Sequence, residues 1–173
     1  NEIARAFFTV DGKPALNAAG AAGFTQKVDP RGNVIERVYL GEDARPARQA
    51  DGVALWRAKI DDRGCTIERT YFGPDERPIT NKNGYAATRS RCDEQGRENE
   101  RAHFGPAGAP VLVRDGFSIF RSRYDDRGNE IERAFFGTDD KPLPNASGAA
   151  VIRTTFDERG NAVEIASLGV DGR

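Results

Sequence analysis

A segment of the type Asp-x-x-Gly recurs along this chain every 32 residues, and the sequence on either side of it aligns without insertion or deletion. A fixed period of this length is the signature of a repeat architecture, in which each unit buries its apolar surface against its neighbours. We therefore expect one repeat domain over residues 1–173, with units 1–32, 33–64, 65–96, 97–128 and 129–160 and a partial unit 161–173. The turn-forming glycines are Gly32, Gly64, Gly96, Gly128 and Gly160.

Each unit contains two stretches of alternating, β-favouring composition, which predict two strands. In the fifth unit strand A covers 129–136 and strand B covers 149–156, and a Gly/Pro loop over 137–148 joins them. The Asp-x-x-Gly segment between strand B and the next strand A suits a tight turn, because Asp bonds its own backbone and Gly adopts positive φ. The sequence thus predicts an all-β chain of tandem hairpins without helix.

Comparison of the units with one another predicts the strand register. Positions 4 and 25 of a unit are Glu and Arg in four units, and both charges are missing in the first, which has Ala4 and Thr25. Opposite charges that face each other across an antiparallel pair stabilise it, so their joint loss indicates pairing. Positions that add up to 29 then face each other within a unit. The predicted pairs are Glu36–Arg57, Glu68–Arg89, Glu100–Arg121 and Glu132–Arg153.

The same register places the first and twenty-eighth residues of a unit opposite each other. In the third unit these are Cys65 and Cys92, the two cysteines of the chain. Opposed residues of an antiparallel pair lie within the Cα separation that a disulfide needs, so we expect a disulfide and, with it, an oxidising compartment. Two free thiols in small buried positions are the alternative. A structural zinc would need four ligands, and no histidine neighbours this pair.

On this register one face carries Ile3, Phe7, Phe24, Val28 and their equivalents, and we expect it to form the core. The other face carries the Glu–Arg pairs together with apolar residues. These are Phe8, Leu40, Phe72, Phe104 and Phe136, opposite Val53, Tyr85 and Phe117. A sheet that is apolar on both faces needs cover on both, which the next turn of a β-solenoid or spiral sheet would supply. A curled antiparallel meander or a small propeller is the alternative.

A row of arginines occupies position 5 of the five complete units: Arg5, Arg37, Arg69, Arg101 and Arg133. The register places them opposite Phe24, Trp56, Thr88, Phe120 and Ile152, where guanidinium groups can stack on aromatic rings. An anion-binding stripe is the other interpretation of this row. The candidate binding surface comprises Arg37, Arg69, Arg101, Arg133, Trp56 and Tyr85.

Nothing in the sequence resembles an active site, which needs a nucleophile, a base and an orienting group that converge. His103 stands where the other units have an aromatic residue, so we interpret it as a substituted ring. The recurring aspartates lack the dense alternation of a calcium loop, and turn formation explains them better. We therefore predict no enzyme activity, no metal and no cofactor.

The charge composition narrows the class of partner. With 26 Lys and Arg against 27 Asp and Glu, the chain lacks the basic field that nucleic acid or an anionic membrane surface favours. No apolar run approaches the length of a membrane span, so membrane insertion is not expected. The absence of Met and the start within a repeat indicate a mature product or a piece of a longer protein.

The segments RYDDRGNEIERAFFG (123–137) and TTFDERGNAVEIASLG (154–169) resemble the YD repeats of Rhs and teneurin proteins. Tyr124 keeps the tyrosine of that motif, whereas Val28, Ile60, Cys92 and Phe156 replace it elsewhere, and the 32-residue period is longer. The resemblance implies a spiralling β-hairpin sheet in a bacterial surface or secreted protein. The hairpins are also similar to the cell-wall-binding repeats of choline-binding proteins, although Trp56 is the single tryptophan and no aromatic cage is present.

Two functions follow as hypotheses. The first is a non-enzymatic scaffold of an exported bacterial protein, located outside the cell, on its surface or in the periplasm. The second is an adhesion or ligand-binding domain for a protein or a glycan. The loop bodies (ALNAA, ARQAD, ITNKN, VLVRD and LPNAS) vary between units but contain no aromatic residue, which favours the scaffold.

Overall fold

The computed structural model describes residues 2–173 as one open antiparallel sheet of 11 strands. The spatial order of the strands is their order in the sequence, so the sheet is a continuous meander. The strands are β1 (Glu2–Ala6), β2 (Gly23–Val28), β3 (Val34–Leu40), β4 (Leu55–Ile60), β5 (Thr66–Phe72), β6 (Ala87–Cys92), β7 (Glu98–Phe104), β8 (Ile119–Tyr124), β9 (Glu130–Phe136), β10 (Val151–Phe156) and β11 (Ala162–Leu168). Within this range no helix is long and apolar enough to cross a membrane.

Tight turns join each even-numbered strand to the next odd-numbered strand. In the first of them Gly32 has a φ of 88°, and Asp29 Oδ1 accepts hydrogen bonds from the backbone N–H groups of Arg31 and Asn33 at 2.9 and 2.8 Å. The same pair of bonds recurs at Asp61, Asp93, Asp125 and Asp157. The aspartates therefore bind backbone donors of their own turns, and the glycines supply the left-handed conformation that these turns need.

A β-bulge follows each of these turns. Lys27 pairs with Glu36, but the next pair joins Val28 to Val34, which leaves Ile35 without a partner opposite it. The shift recurs between the strands of the four later turns. An extra residue in one strand rotates the side chains that follow it. Ile67, the bulged residue of the third unit, is accordingly 39% exposed, so the predicted core position is wrong there.

Within a unit, the predicted register between strands A and B is confirmed. The facing pairs include Glu36–Arg57, Glu68–Arg89, Glu100–Arg121, Glu132–Arg153 and Ala4–Thr25. We call the pairing of strands A and B of one unit the A/B junction. In the interior of the sheet it is short: β3 and β4 pair over three residues each, whereas β2 and β3, which a tight turn joins, pair over six. The A/B junction is therefore the weaker of the two kinds of strand contact.

The regular pairing of strands A and B ends where the long loop between them begins. Leu40 bridges to Pro46, and Ala47 N–H donates to the carbonyl of Tyr39 at 3.0 Å, so the returning loop lies beside the end of strand A. Equivalent bridges join Phe8 to Pro14, Phe72 to Pro78, Phe104 to Pro110 and Phe136 to Pro142. The predicted opposition of Leu40 and Val53 is therefore wrong, because the loop folds back and occupies the place expected for strand B.

The most buried residues lie where the loops meet strand B. Val53, Ala54 and Leu55 are at most 2% exposed. The equivalent buried residues in other units are Ala21, Ala22, Ala86, Ser118, Ala149 and Ala150. All six are alanine or serine, whose small volume lets successive loops approach one another closely.

Backbone hydrogen bonds connect the loop of each unit to the loop of the next. Ala50 N–H donates to the carbonyl of Ala19 at 2.9 Å. The same bond joins Lys82 to Asp51 at 3.0 Å, Arg114 to Asn83 at 2.9 Å and Ala146 to Asp115 at 2.6 Å. Because only main-chain groups take part, these bonds between loops do not themselves require a particular loop side chain.

Strands contact each other only when they are consecutive in the sequence. The cover that a second turn of the sheet was expected to supply is not found within residues 2–173. Long cationic side chains cover the rings instead: Arg37 lies over Phe24 on one face, and Arg57 lies over Phe72 on the other. The alkyl stems of such residues shield apolar surface while the charged ends stay in water.

A disulfide joins Cys65 to Cys92, with their Cα atoms 6.3 Å apart. Cys92 is the last residue of β6, and Cys65 directly precedes β5, so the link crosses the short A/B junction of the third unit. Cys65 is 5% exposed. The covalent bond therefore holds together the two ends of strands that only a few hydrogen bonds would otherwise join.

The turn aspartates are expected to make stability depend on pH. Hydrogen bonds from the asparagine four residues later, and then from backbone N–H groups, hold the pKa of Asp29, Asp125 and Asp157 below the usual 3.8. These carboxylates bind protons more readily in the unfolded chain than in the folded one. Their contribution to stability is therefore complete above pH 3.8 and is lost as the pH falls through the lowered pKa of the folded state. We expect the temperature of the unfolding midpoint to decrease once the pH is lowered below about 4.

Thermal unfolding followed by circular dichroism between neutral and acidic pH measures this effect. The variant Asp125→Asn keeps the size of the side chain but removes one titrating group, so its midpoint should vary less with pH than that of the native chain. An acid-side slope equal in the two proteins would contradict the assignment.

Candidate binding face

The arginines of position 5 and the aromatic rings of strand B form one row across the sheet. The pairs that face each other are Arg5–Phe24, Arg37–Trp56, Arg69–Thr88, Arg101–Phe120 and Arg133–Ile152, as the sequence predicts. The guanidinium carbon of Arg37 lies 4.6 Å from the ring centre of Phe24 and 5.8 Å from that of Trp56. Arg69 lies over Trp56 at 4.5 Å, so the indole is flanked by two cations.

The position-5 arginines differ in their acidic partners. Arg101 Nε donates to Glu98 at 2.9 Å, and Arg133 Nε donates to Glu130 at 2.8 Å. Both glutamates occupy position 2 of their units, which the bulge turns toward this face. Val34 and Thr66 stand at the same position in the second and third units, and no ion pair of Arg37 or Arg69 exists among the described residues.

The lack of an acidic partner affects stability because part of each of these guanidinium groups is buried. The Nε atoms of Arg37 and Arg69 are buried and have no hydrogen-bond partner in the described part of the chain. A buried donor without an acceptor costs about 1–3 kcal/mol. The second and third units therefore present cations whose hydrogen bonding is incomplete, whereas the fourth and fifth units supply the missing carboxylate from within the chain.

Aromatic rings of the loops and of strand A continue the face. Tyr85 contacts Tyr71 and His103, with ring centres 5.8 and 4.7 Å apart, and Phe117 contacts His103 and Phe135 at 5.8 and 4.8 Å. Tyr85 and Phe117 thus lie on the same side as the rings of position 7. The repeat pattern predicts them on the opposite face, and this prediction is wrong because the loop reverses the chain just before strand B.

His103 takes the place of a ring in this row. The side chain is 4% exposed, and its Nδ1–H donates to the carbonyl of Ser118 at 2.8 Å. Burial disfavours the charged imidazole and lowers its pKa below 6.5, an effect that the nearby Arg101 reinforces. The neutral histidine therefore packs as an aromatic residue with one satisfied donor.

The replacement His103→Phe should remove a pH dependence of stability. Because the folded pKa is lowered, the native histidine stabilises fully above 6.5 and loses that contribution as the pH falls. Between about pH 7 and 5 the native midpoint should decline, while that of His103→Phe should stay level. The Ser118 carbonyl keeps a donor, since it also accepts from the His103 backbone N–H at 3.0 Å. Parallel slopes in thermal unfolding of the two proteins would contradict this account.

The opposite face of the sheet carries the Glu–Arg pairs. Glu36 accepts from Arg57 Nε at 2.6 Å and from Lys27 Nζ at 2.7 Å. Burial alone would raise the pKa of Glu36, but the hydrogen bonds from Arg57 and Lys27 outweigh it and leave the pKa below 4.5. Equivalent glutamates lie between two cations in Lys59–Glu68–Arg89, Arg91–Glu100–Arg121 and Arg123–Glu132–Arg153. The acidic groups on this face are thus already bound within the chain.

The structure brings together Arg37, Arg69, Arg101, Arg133 and Trp56 in one row, and Tyr85 joins it through Tyr71. Sequence reasoning missed the role of position 2, where Glu98 and Glu130 bind arginines of the same strand. The signal was present in the variation between units, but the bulge that turns this position toward the arginines is not visible in a period-2 pattern. Among the described residues, no group of three or more His, Cys, Asp or Glu side chains could hold a metal ion.

Comparisons with known proteins leave the family of this chain open. No family model matches the sequence, and a search of curated proteins finds no significant match.

Proposed function

We propose that this chain is a non-enzymatic repeat scaffold of an exported bacterial protein, which presents an extended β surface and a row of loops. The observation that carries the proposal is the main-chain bond between successive loops, such as Ala50 N–H to the Ala19 carbonyl at 2.9 Å. The loops differ in sequence but keep this bond, so the connection between successive loops does not require one loop sequence. A framework of this kind holds attached groups at fixed spacing.

The winding of a longer array belongs to the same proposal. Adjacent strands in a sheet are rotated by about 20–25° with a constant hand, so rotation accumulates as units are added. We propose that further units would wind this sheet into a solenoid or spiral, with each unit contacting its neighbours. Apolar side chains exposed at the two ends of the sheet, such as Phe8 just after β1 at 62% and Ile165 in β11 at 68%, are surfaces that such neighbours would cover.

The disulfide supports an exported location for the scaffold. Disulfides persist in oxidising compartments and are rare where thiols are kept reduced. The pair Cys65–Cys92 is compatible with an extracellular, cell-surface or periplasmic protein. Mass mapping of the native chain, extracted with a thiol-blocking reagent, should find these residues linked.

A binding role for a protein or glycan partner is the second candidate. The observation that favours it is that Arg37 and Arg69, the two cations that flank Trp56, have no acidic partner in the described part of the chain. A nucleic-acid partner is not proposed, since acidic residues slightly outnumber basic ones.

Exchange of loop sequences tests the scaffold. In the test variant the residues 143–147 are replaced by those of 47–51, and fluorophores are attached at the exposed positions Ala18 and Arg159, outside the exchanged segment. A scaffold should keep the same narrow distribution of distances and the same unfolding midpoint after the exchange. In the matched control Gly52→Val, a loop glycine with a φ of 87° is replaced by a β-branched residue, which should disturb both readouts. A broad distribution in the native chain would overturn the scaffold proposal.

A further inference from the structure

The third unit departs from the others in the middle of the arginine row. At position 24 it has Thr88, where the first, second and fourth units have the rings of Phe24, Trp56 and Phe120 and the fifth has Ile152. The neighbouring Ser90 and Thr66 are also small. The missing ring leaves an open cavity of about 140 Å³ among β5, β6 and β7. Thr66, Arg69, Tyr71, Thr88, Ser90, Glu98 and Arg101 line it. The wall is polar, in contrast to the aromatic packing on either side.

Arg69 provides the electrostatic character of this cavity. The other arginine of the lining, Arg101, is paired with Glu98 through contacts of 2.9 and 2.7 Å, so its charge is balanced. Arg69 lies over Trp56 and has no carboxylate partner among the described side chains, and its Nε–H is buried without an acceptor. The cavity therefore carries one uncompensated positive charge and one unsatisfied donor.

The next two units show what satisfies such a donor. In both of them the carboxylate of a position-2 glutamate accepts from the arginine Nε three residues later, at 2.9 Å for Glu98 and 2.8 Å for Glu130. Thr66 occupies the equivalent position in the third unit and is too short to supply this carboxylate. The space left by its short side chain and by Thr88 is open to solvent, so a carboxylate can enter it, and a small shift of the Arg69 side chain would bring the buried Nε–H to this carboxylate.

We propose that this cavity binds an acidic sugar residue, whose carboxylate takes the place of the glutamate that the third unit lacks. The ligand carboxylate accepts from Arg69, and the hydroxyl groups of Thr66, Thr88, Ser90 and Tyr71 hydrogen-bond the hydroxyls of the sugar. Hydroxyl groups both donate and accept, which suits a polyhydroxylated ligand. The site goes beyond the scaffold proposal and gives the glycan-binding candidate a ligand class.

The sheet favours a sugar over an acidic peptide. Peptides that bind a sheet commonly add a strand to a free edge, where the main chain offers unpaired donors and acceptors. The cavity lies over β5, β6 and β7, whose backbones are paired on both sides in the interior of the sheet. A ligand at this place can use only side-chain groups, which a single sugar ring with a carboxylate matches.

Titration of the full-length, disulfide-linked chain with glucuronate and galacturonate tests the site. Calorimetry gives the affinity, and the Nε–H signal of Arg69 in a ¹H–¹⁵N spectrum reports direct contact. We expect both uronates to bind and to shift this signal, whereas glucose, which lacks the carboxylate, should not. The variant Thr66→Glu should weaken binding at least tenfold, because it supplies the carboxylate in the same way as Glu98.

The variants separate binding from folding. Arg69→Gln should also weaken binding at least tenfold, and it serves as the second test if Thr66→Glu fails to fold. Arg153→Gln is the matched control, since it makes the same change at an arginine on the opposite face of the sheet, where Arg153 pairs with Glu132, and it should leave binding unchanged. Failure of both uronates to bind at millimolar concentration would overturn the proposal. Tighter binding of N-acetylaspartate than of the uronates would overturn the sugar assignment in favour of an acidic peptide. Either result leaves the loop-exchange test of the scaffold unaffected.

Discussion

Reduction of the Cys65–Cys92 disulfide is expected to lower the free energy of unfolding more than most single substitutions in this chain. The link joins residues separated by 27 positions. Chain-entropy arguments assign about 3.5 kcal/mol to closing a loop of this size in the unfolded state. The link also spans the short A/B junction between β5 and β6, where Glu68–Thr70 pair with Ala87–Arg89 over three residues each.

Urea unfolding of the oxidised and reduced chains measures this difference. The double variant Cys65→Ala/Cys92→Ala is the control, because it removes the cross-link without leaving thiols in a buried site. Reduced chain and double variant should unfold at similar, lower urea concentrations than the oxidised chain. Equal midpoints for the oxidised and reduced forms would contradict a stabilising role for the link.

The replacement Phe120→Ala is expected to cost about 3–5 kcal/mol, the usual range for deleting a buried phenyl ring. Phe120 is 7% exposed and lies 6.4 Å from the ring centre of Phe117. The guanidinium carbons of Arg101 and Arg133 lie 5.6 and 4.6 Å from its ring centre. The substitution thus removes an apolar contact and two cation–π contacts at once, and the short side chain leaves a cavity.

Chemical denaturation of Phe120→Ala and of the control Phe8→Ala tests this expectation. Phe8 is the same residue type but is 62% exposed in the first unit, so its removal should cost less than about 1 kcal/mol. Similar losses for the two variants would indicate that the arginine row contributes little to stability.

The strand register could be predicted because the chain contains several copies of one unit, whose sequences can be compared with one another. The joint loss of charge at Ala4 and Thr25 identified facing positions, and the structure pairs them. The same reasoning placed each position-5 arginine opposite its ring, for example Arg37 opposite Trp56. Covariation between units carries information about contact that a single copy of the sequence would lack.

The path of the loop could not be predicted in this way. All five units share the return that brings Leu40 beside Pro46 or its equivalent, so no variation between them reveals the contact. The bulge at Ile35 is equally constant and hidden. A one-residue insertion changes which face a side chain occupies, and this is why Glu98 and Glu130 lie beside the arginines of position 5. Features common to every unit are the ones that comparison between units cannot detect.

The candidate cavity depends on exceptions to the repeat. Sequence reasoning treated Thr88 as one more member of the row opposite the arginines, although it is the small polar residue of that row. The structure shows that this substitution, together with Thr66, opens space beside Arg69. In a chain of near-identical units, residues that break the pattern are the better guide to a specific site.

Because the strands follow one another across the sheet, tension applied at the two outer edges would break the hydrogen bonds of one strand pair at a time. The short A/B junctions would open before the longer hairpins. The disulfide interrupts this sequence, since the 27-residue separation between Cys65 and Cys92 cannot extend while the link is intact. A fully extended segment of that length spans about 90 Å. An oxidised chain under load would therefore be shorter by roughly this distance than a reduced one, and the redox state of a single bond would set the reach of the protein.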